Sequence, residues 1–151
     1  MKNYILILSL LLLIGCKTTQ KPVEIKIAKL AFSEVNENQK NKAYELGKRV
    51  LMTCNTSKFK PFNESEATQS VIQNTTEAKL TKTCTRFRQY YGTFKDLQLV
   101  EIYKNIDDKT TIFRFRALYT KKVANKELRV SINEENKVSS IKSLDWVNSF
   151  H

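Results

Sequence analysis

The spacing of the apolar residues changes at Gly92, and this change restricts the fold more than any other feature. From about Gln39 to Gly92 the apolar residues recur every three to four positions, which is the spacing of one face of an α-helix. After Gly92 they alternate with polar residues, which is the spacing of a β-strand. A set of helices followed by a set of strands with short turns predicts an α+β domain with an antiparallel sheet.

About three helices are predicted before Gly92. The first covers 39–54, from the apolar stripe Ala43, Leu46, Val50, Leu51 and Cys54. A short second helix, capped by Asn63 or Ser65, runs to about Gln73. The third covers 76–91, from the stripe Leu80, Cys84, Phe87 and Tyr91, and Gly92 suits a helix end with positive φ.

Three to four strands are predicted after Gly92, at about 97–103, 110–120, 128–132 and 138–146. In the clearest of them, one face carries Phe113, Phe115, Ala117 and Tyr119, and Arg114 and Arg116 point the other way. A further short alternation at 23–27 predicts an edge strand or an extended arm.

The chain begins with an apolar run over 5–14 that follows the basic residue Lys2 and ends beside Cys16. This run has the length of a signal-peptide core and is shorter than the roughly twenty residues that cross a membrane. Leu13-Ile14-Gly15-Cys16 resembles the lipobox of bacterial lipoproteins. The resemblance implies a signal peptide over 1–15, cleavage before Cys16, and an acylated Cys16 that anchors the mature protein to a membrane.

The predicted signal peptide also indicates where the protein is located and which partners it can meet. By analogy with lipoprotein sorting, the lack of acidic residues over 17–23 favours the outer membrane, with the domain facing the periplasm. We predict a lipid-anchored tether over 16–38 and an α+β domain over 39–151. The net charge of +11 would suggest nucleic acid in a cytoplasmic protein, but export removes that partner. The charge then attracts anionic lipid or acidic envelope polymers, or keeps a lysine-rich surface solvated.

Cys54 and Cys84 are the cysteines that remain after Cys16. Both lie on apolar stripes of predicted helices, and an exported protein meets an oxidising compartment. A disulfide between them is therefore predicted, and a pair of buried thiols is the alternative. No metal role is expected, because Cys-x-x-Cys and histidine ligands are missing.

The order of these elements resembles small exported domains of the nuclear-transport-factor-two-like, or cystatin-like cone, superfamily. The likeness rests on Tyr90-Tyr91-Gly92-Thr93-Phe94, on Phe113-Arg114-Phe115 and on the final hairpin over 132–141. It implies about three helices packed on a curved antiparallel sheet of three to four strands, which wraps into a cone whose mouth can hold a ligand.

Catalytic residues are not predicted. The single histidine, His151, stands at the end of the sequence, where a base is expected to be poorly positioned, and glycine-rich loops are missing. Some cone-fold isomerases use a pocket carboxylate and a tyrosine, for which Asp96, Glu101 or Asp145 with Tyr103 or Tyr119 are the candidates. Glu101 could project inward, where burial would raise its pKa, or pair with Arg114 or Arg116 on a solvated face.

The sequence thus predicts a lipid-anchored envelope lipoprotein with a non-catalytic binding or accessory domain and no cofactor. Its partner would be an envelope protein, a polymer or a small apolar ligand. The alternatives are an isomerase-like enzyme and a structural lipoprotein that contacts anionic lipid or cell-wall polymer through its basic surface. The candidate pocket residues are Phe113, Phe115, Tyr119, Trp146 and Glu101. A place in the core is the favoured alternative for the four aromatic residues, because a domain of this size needs most of them there.

Overall fold

The computed structural model of the chain describes residues 26–150. The predicted signal peptide, the lipobox and Cys16 lie outside the described residues. The helices are α1 (Glu37–Thr56), α2 (Gln69–Asn74) and α3 (Glu77–Tyr91). The strands are β1 (Ile27–Leu30), β2 (Phe94–Asn105), β3 (Thr110–Tyr119), β4 (Lys126–Ile132) and β5 (Val138–Asp145).

The fold is α+β, with a five-stranded antiparallel sheet in the order β1-β2-β3-β4-β5. The prediction of three to four strands was therefore too low. The extra strand is β1, in the segment that the sequence assigned to the tether. β1 is a largely exposed four-residue edge strand that starts at Ile27, the last residue of the alternation over 23–27 from which an edge strand or an extended arm was predicted.

Local capping explains where the helices begin. The Asn36 side chain accepts a hydrogen bond from the backbone N–H of Asn38 at 2.7 Å, at the start of α1, and Thr76 caps α3 in the same way. The predicted second helix began too early. The Asn63 side chain accepts hydrogen bonds from the backbone N–H groups of Ser65 and Glu66, so it stabilises a turn there, and α2 starts only at Gln69.

An irregularity in β2 changes which side chains face the helices. The register with β3 shifts between Leu99 and Glu101, so one extra residue enters the strand there. Leu97 and Ile102 therefore both face the core, while Glu101 lies on the opposite face. The uninterrupted alternation predicted over 97–103 was wrong at this point, because a bulge leaves no clear mark in apolar spacing.

The core lies between α1 and the inner face of the sheet. α1 packs on β2 and β4, and the fully buried side chains beneath it come from the middle strands: Ile102, Phe113, Phe115, Leu128, Val130 and Ile132. Gly47 lets α1 approach closely, because an added Cβ would lie 2.8 Å from Leu128 Cδ2. Residues 26–150 thus hold a complete core of their own.

The predicted disulfide is confirmed. Cys54 of α1 and Cys84 of α3 are bonded, with their Cα atoms 4.6 Å apart, and the bridge closes a loop of sequence separation 30. A chain-entropy estimate gives it about 3 to 4 kcal/mol of stabilisation. The bridge also determines where α3 lies relative to the rest of the domain.

Candidate functional site

The candidate site is a gap between α3 and β5. α3 packs mainly on α1, and it is held at two places, the disulfide and an aromatic cluster at its C-terminal end. In that cluster the rings of Phe87 and Tyr91 lie 6.5 Å and 5.8 Å from the ring of Tyr119. The inner face of β5 between these two places is only partly covered. We call the resulting cleft the α3–β5 groove.

The inner part of the groove is an apolar cavity of about 220 Å³. Its walls come from α1, α3, β4 and β5, and the disulfide closes it at one side. The side chains that make it apolar are Val50, Leu51, Leu80, Phe87, Leu128 and Ile141. Ile141 lies on the inner face of β5 and is only half-buried, and the end of α2 at Asn74 also lines the cavity.

The outer part of the groove is wider and basic, with a volume of about 490 Å³. Lys82 and Arg86 line it from α3, one helical turn apart, and Lys126 lines it from β4. Lys126 is buried, pairs with Asp145 at 2.7 Å and lies 5.3 Å above the Phe87 ring. Among residues 26–150, no carboxylate pairs with Lys82 or Arg86.

The opposite face of the sheet carries a buried ion cluster around Arg114. The Arg114 guanidinium is fully buried and donates to Glu101 and Glu127, at 2.7 Å each. The chain beyond β5 turns back over this face, where the Trp146 ring covers Arg114 at 3.9 Å and Phe150 stacks on Tyr103 at 4.0 Å. The solvated face expected for Arg114 was therefore wrong, because the C-terminal segment covers it.

This pairing lowers the pKa of Glu101 instead of raising it. Hydrogen bonds from Lys29 and then Arg114 hold the pKa of this carboxyl at about 2, despite its partial burial. Its charge therefore stabilises the fold above about pH 4.5, and that contribution is lost as the pH falls towards 2. A general base at neutral pH needs a raised pKa.

Asp96, a second carboxylate of the isomerase hypothesis, is also held ionised. The Tyr44 hydroxyl donates to it at 2.6 Å, and Lys48 lies 3.1 Å away. These contacts lower the pKa of Asp96 below its usual range. Neither carboxylate is thus poised to take up a proton near neutral pH.

The predicted pocket residues do not meet around one cavity. Phe113 and Phe115 are buried in the core between α1 and the sheet, and Tyr119 joins the aromatic cluster. Glu101 and Trp146 belong to the ion cluster on the other face. A single pocket made from the five was wrong, because the sheet separates them into two layers.

No protein family, curated protein or solved structure matches this chain. The resemblance to the cone superfamily accordingly stays a prediction. Within residues 26–150, none of the helices has both the length and the apolar composition that crossing a bilayer requires. The same residues contain no group of three or more His, Cys, Asp or Glu side chains able to hold a metal ion.

Most of the groove was not predicted from the sequence. Leu80 and Phe87 were assigned to a packing stripe, and Ile141 was placed only at the end of the final hairpin. One signal could have been used: Lys82 and Arg86 stand four residues apart on a helix that has no acidic residue after Glu77. That spacing marks a basic stripe, but only the fold shows that the stripe borders an apolar gap.

Proposed function

We propose that the protein is a lipid-anchored envelope lipoprotein whose domain is a non-catalytic binding module. The observation that carries the binding role is the apolar cavity of about 220 Å³ in the α3–β5 groove. Side chains in a finished core leave few voids larger than a water molecule, so an open apolar space of this size favours a ligand. We take the ligand to be a small apolar molecule or the apolar part of a larger one.

The proposed fold type is a cystatin-like cone. Bulges in β2 and β5 bend the sheet, and the helices lie on one side of it. The groove would then be the mouth of the cone. This position agrees with the resemblance drawn from the sequence, although the residues that line the groove are different from those predicted.

The isomerase-like alternative has less support from the geometry. Glu101 is bonded to two cations, and Phe113 and Phe115 fill the space under α1. For location we keep the prediction from the leader, an outer-membrane lipoprotein that faces the periplasm and is held by lipid on Cys16.

The binding role is tested with a neutral fluorescent probe, N-phenyl-1-naphthylamine. The protein used is the chain over 17–151, whose described part has a complete core and the disulfide. We expect saturable, one-to-one fluorescence enhancement. Ser143→Phe should abolish it, because Ser143 lines the apolar cavity and a ring there would fill it.

Ser140→Phe is the matched control. Ser140 is on the same strand, but it pairs with Ser131 and faces the other side of the sheet. This variant should bind the probe as the unchanged chain does. Equal binding by all three proteins, or none by the unchanged chain, would contradict a ligand in the groove.

A further inference from the structure

The α3–β5 groove is apolar at one end and cationic at the other, and the two ends are continuous. Both parts are lined by Thr83, Phe87 and Ser143, so no wall separates them. Along β5, the residues on the inner face change in the same direction, from Ile141 through Ser143 to Asp145. The groove therefore becomes more polar from its Ile141 end towards its Asp145 end.

The volume of the apolar end limits the size of the ligand group that it can hold. Its volume of about 220 Å³ holds roughly seven groups of the size of a water molecule, at about 30 Å³ each. A narrow space that is bounded by Leu80, Leu128 and Ile141 suits an unbranched chain of that length.

The cationic end has charge that no carboxylate of residues 26–150 neutralises. Lys126 is paired with Asp145, whereas Lys82 and Arg86 have no acidic partner among residues 26–150. Two cations one helical turn apart, on the rim of an apolar cavity, attract an anion whose apolar part is buried beside them.

We propose that the groove binds a single-chain amphiphile with an anionic head group. The acyl chain occupies the apolar cavity, and the head group lies between Lys82 and Arg86. The inference rests on the proposed binding role and adds the chemical class of the ligand to it. Carboxylate and phosphate head groups share the required chemistry.

The test compares octanoate, octan-1-ol and octylammonium by calorimetric titration of the chain over 17–151. The three have the same chain length and differ in head-group charge. We expect octanoate to bind about tenfold more tightly than octan-1-ol, as for one partly desolvated ion pair, and octylammonium to bind most weakly. A titration with octyl phosphate in place of octanoate shows which head group, phosphate or carboxylate, binds more tightly. Added salt should weaken the binding of octanoate and leave that of octan-1-ol unchanged.

The variant Lys82→Gln/Arg86→Gln should bring octanoate to the affinity of octan-1-ol. The matched control Arg88→Gln/Lys122→Gln loses the same charge from exposed positions that do not line the groove. It should keep the preference for octanoate.

The outcomes separate the two proposals. Equal binding of octanoate and octan-1-ol would contradict the proposal of an anionic amphiphile. Loss of the preference for octanoate in the control Arg88→Gln/Lys122→Gln, to the same extent as in Lys82→Gln/Arg86→Gln, would contradict it too. In both cases the proposed apolar binding role would stand. If neither ligand binds, both are wrong.

Discussion

Arg114 and Arg116 differ in environment although they lie two residues apart on the same face of β3. Arg114 is fully buried between two carboxylates, and Arg116 is half-buried, with Trp146 4.2 Å from its guanidinium. A buried cation is tolerated only when it is paired, so Glu101 and Glu127 are structural residues. The cluster therefore orders the outer face of the sheet.

Glu101→Gln tests this structural role at the level of one residue. We expect the free energy of unfolding at pH 7 to fall by about 1 to 3 kcal/mol, because a charged hydrogen bond to Arg114 is lost. The pKa of Glu101 is about 2 in the folded state, so the difference from the unchanged chain should shrink as the pH falls from 4.5 towards 2.

Urea denaturation at a series of pH values measures this difference. Lys29→Ala is the control: Lys29 is the exposed partner of Glu101, and its loss should change stability by less than about 1 kcal/mol. A difference between Glu101→Gln and the unchanged chain that stays constant with pH would contradict the assignment.

At the scale of elements, the distance between α1 and the sheet depends on Gly47. A methyl group there would lie 2.8 Å from Leu128 Cδ2, 3.1 Å from Val130 Cγ2 and 3.2 Å from Leu97 Cδ1. These partners are themselves buried, so they have little room to move. Close packing therefore explains a glycine inside a helix.

Gly47→Ala should lower the free energy of unfolding, by up to about 2 kcal/mol. Helix propensity alone would raise it by about 1 kcal/mol, but crowding against the sheet costs roughly 1 to 3 kcal/mol. Thermal or urea unfolding measures whether the free energy of unfolding falls or rises. Glu45→Ala, at an exposed position of α1, should stay within about 0.5 kcal/mol of the unchanged chain. Stabilisation by Gly47→Ala would show that α1 is free to move away from the sheet.

At the scale of the whole molecule, the disulfide and the sheet order determine the groove. The Cys54–Cys84 bridge ties α3 to α1, and the meander places β5 at the edge of the sheet opposite β1. α3 covers this edge only in part, so Ile141 and Ser143 of β5 stay accessible in the groove. The groove thus exists because the helices cover only part of the inner face of the sheet.

The predicted lipid anchor on Cys16 is also tested on the full-length chain. We expect mass spectrometry of the membrane fraction to find a chain that begins at Cys16 and carries acyl groups. Cys16→Ser should abolish both the acylation and the cleavage before residue 16. The double variant Cys54→Ser/Cys84→Ser should keep the lipid although it loses the disulfide. Unchanged processing and acylation in Cys16→Ser would contradict the predicted anchor.

How much the sequence could predict depended on the kind of information involved. Local periodicity and backbone chemistry determine the helices and strands, the positive φ at Gly92, and the shared inward face of Phe113 and Phe115, so these features were predictable. The disulfide was also predictable, from two cysteines on apolar stripes in a chain that is predicted to be exported. The tertiary structure alone decided the bulge beside Glu101, the cover over Arg114, and the groove between α3 and β5. Each of these depends on which distant segments meet, and that is set by packing across the whole core.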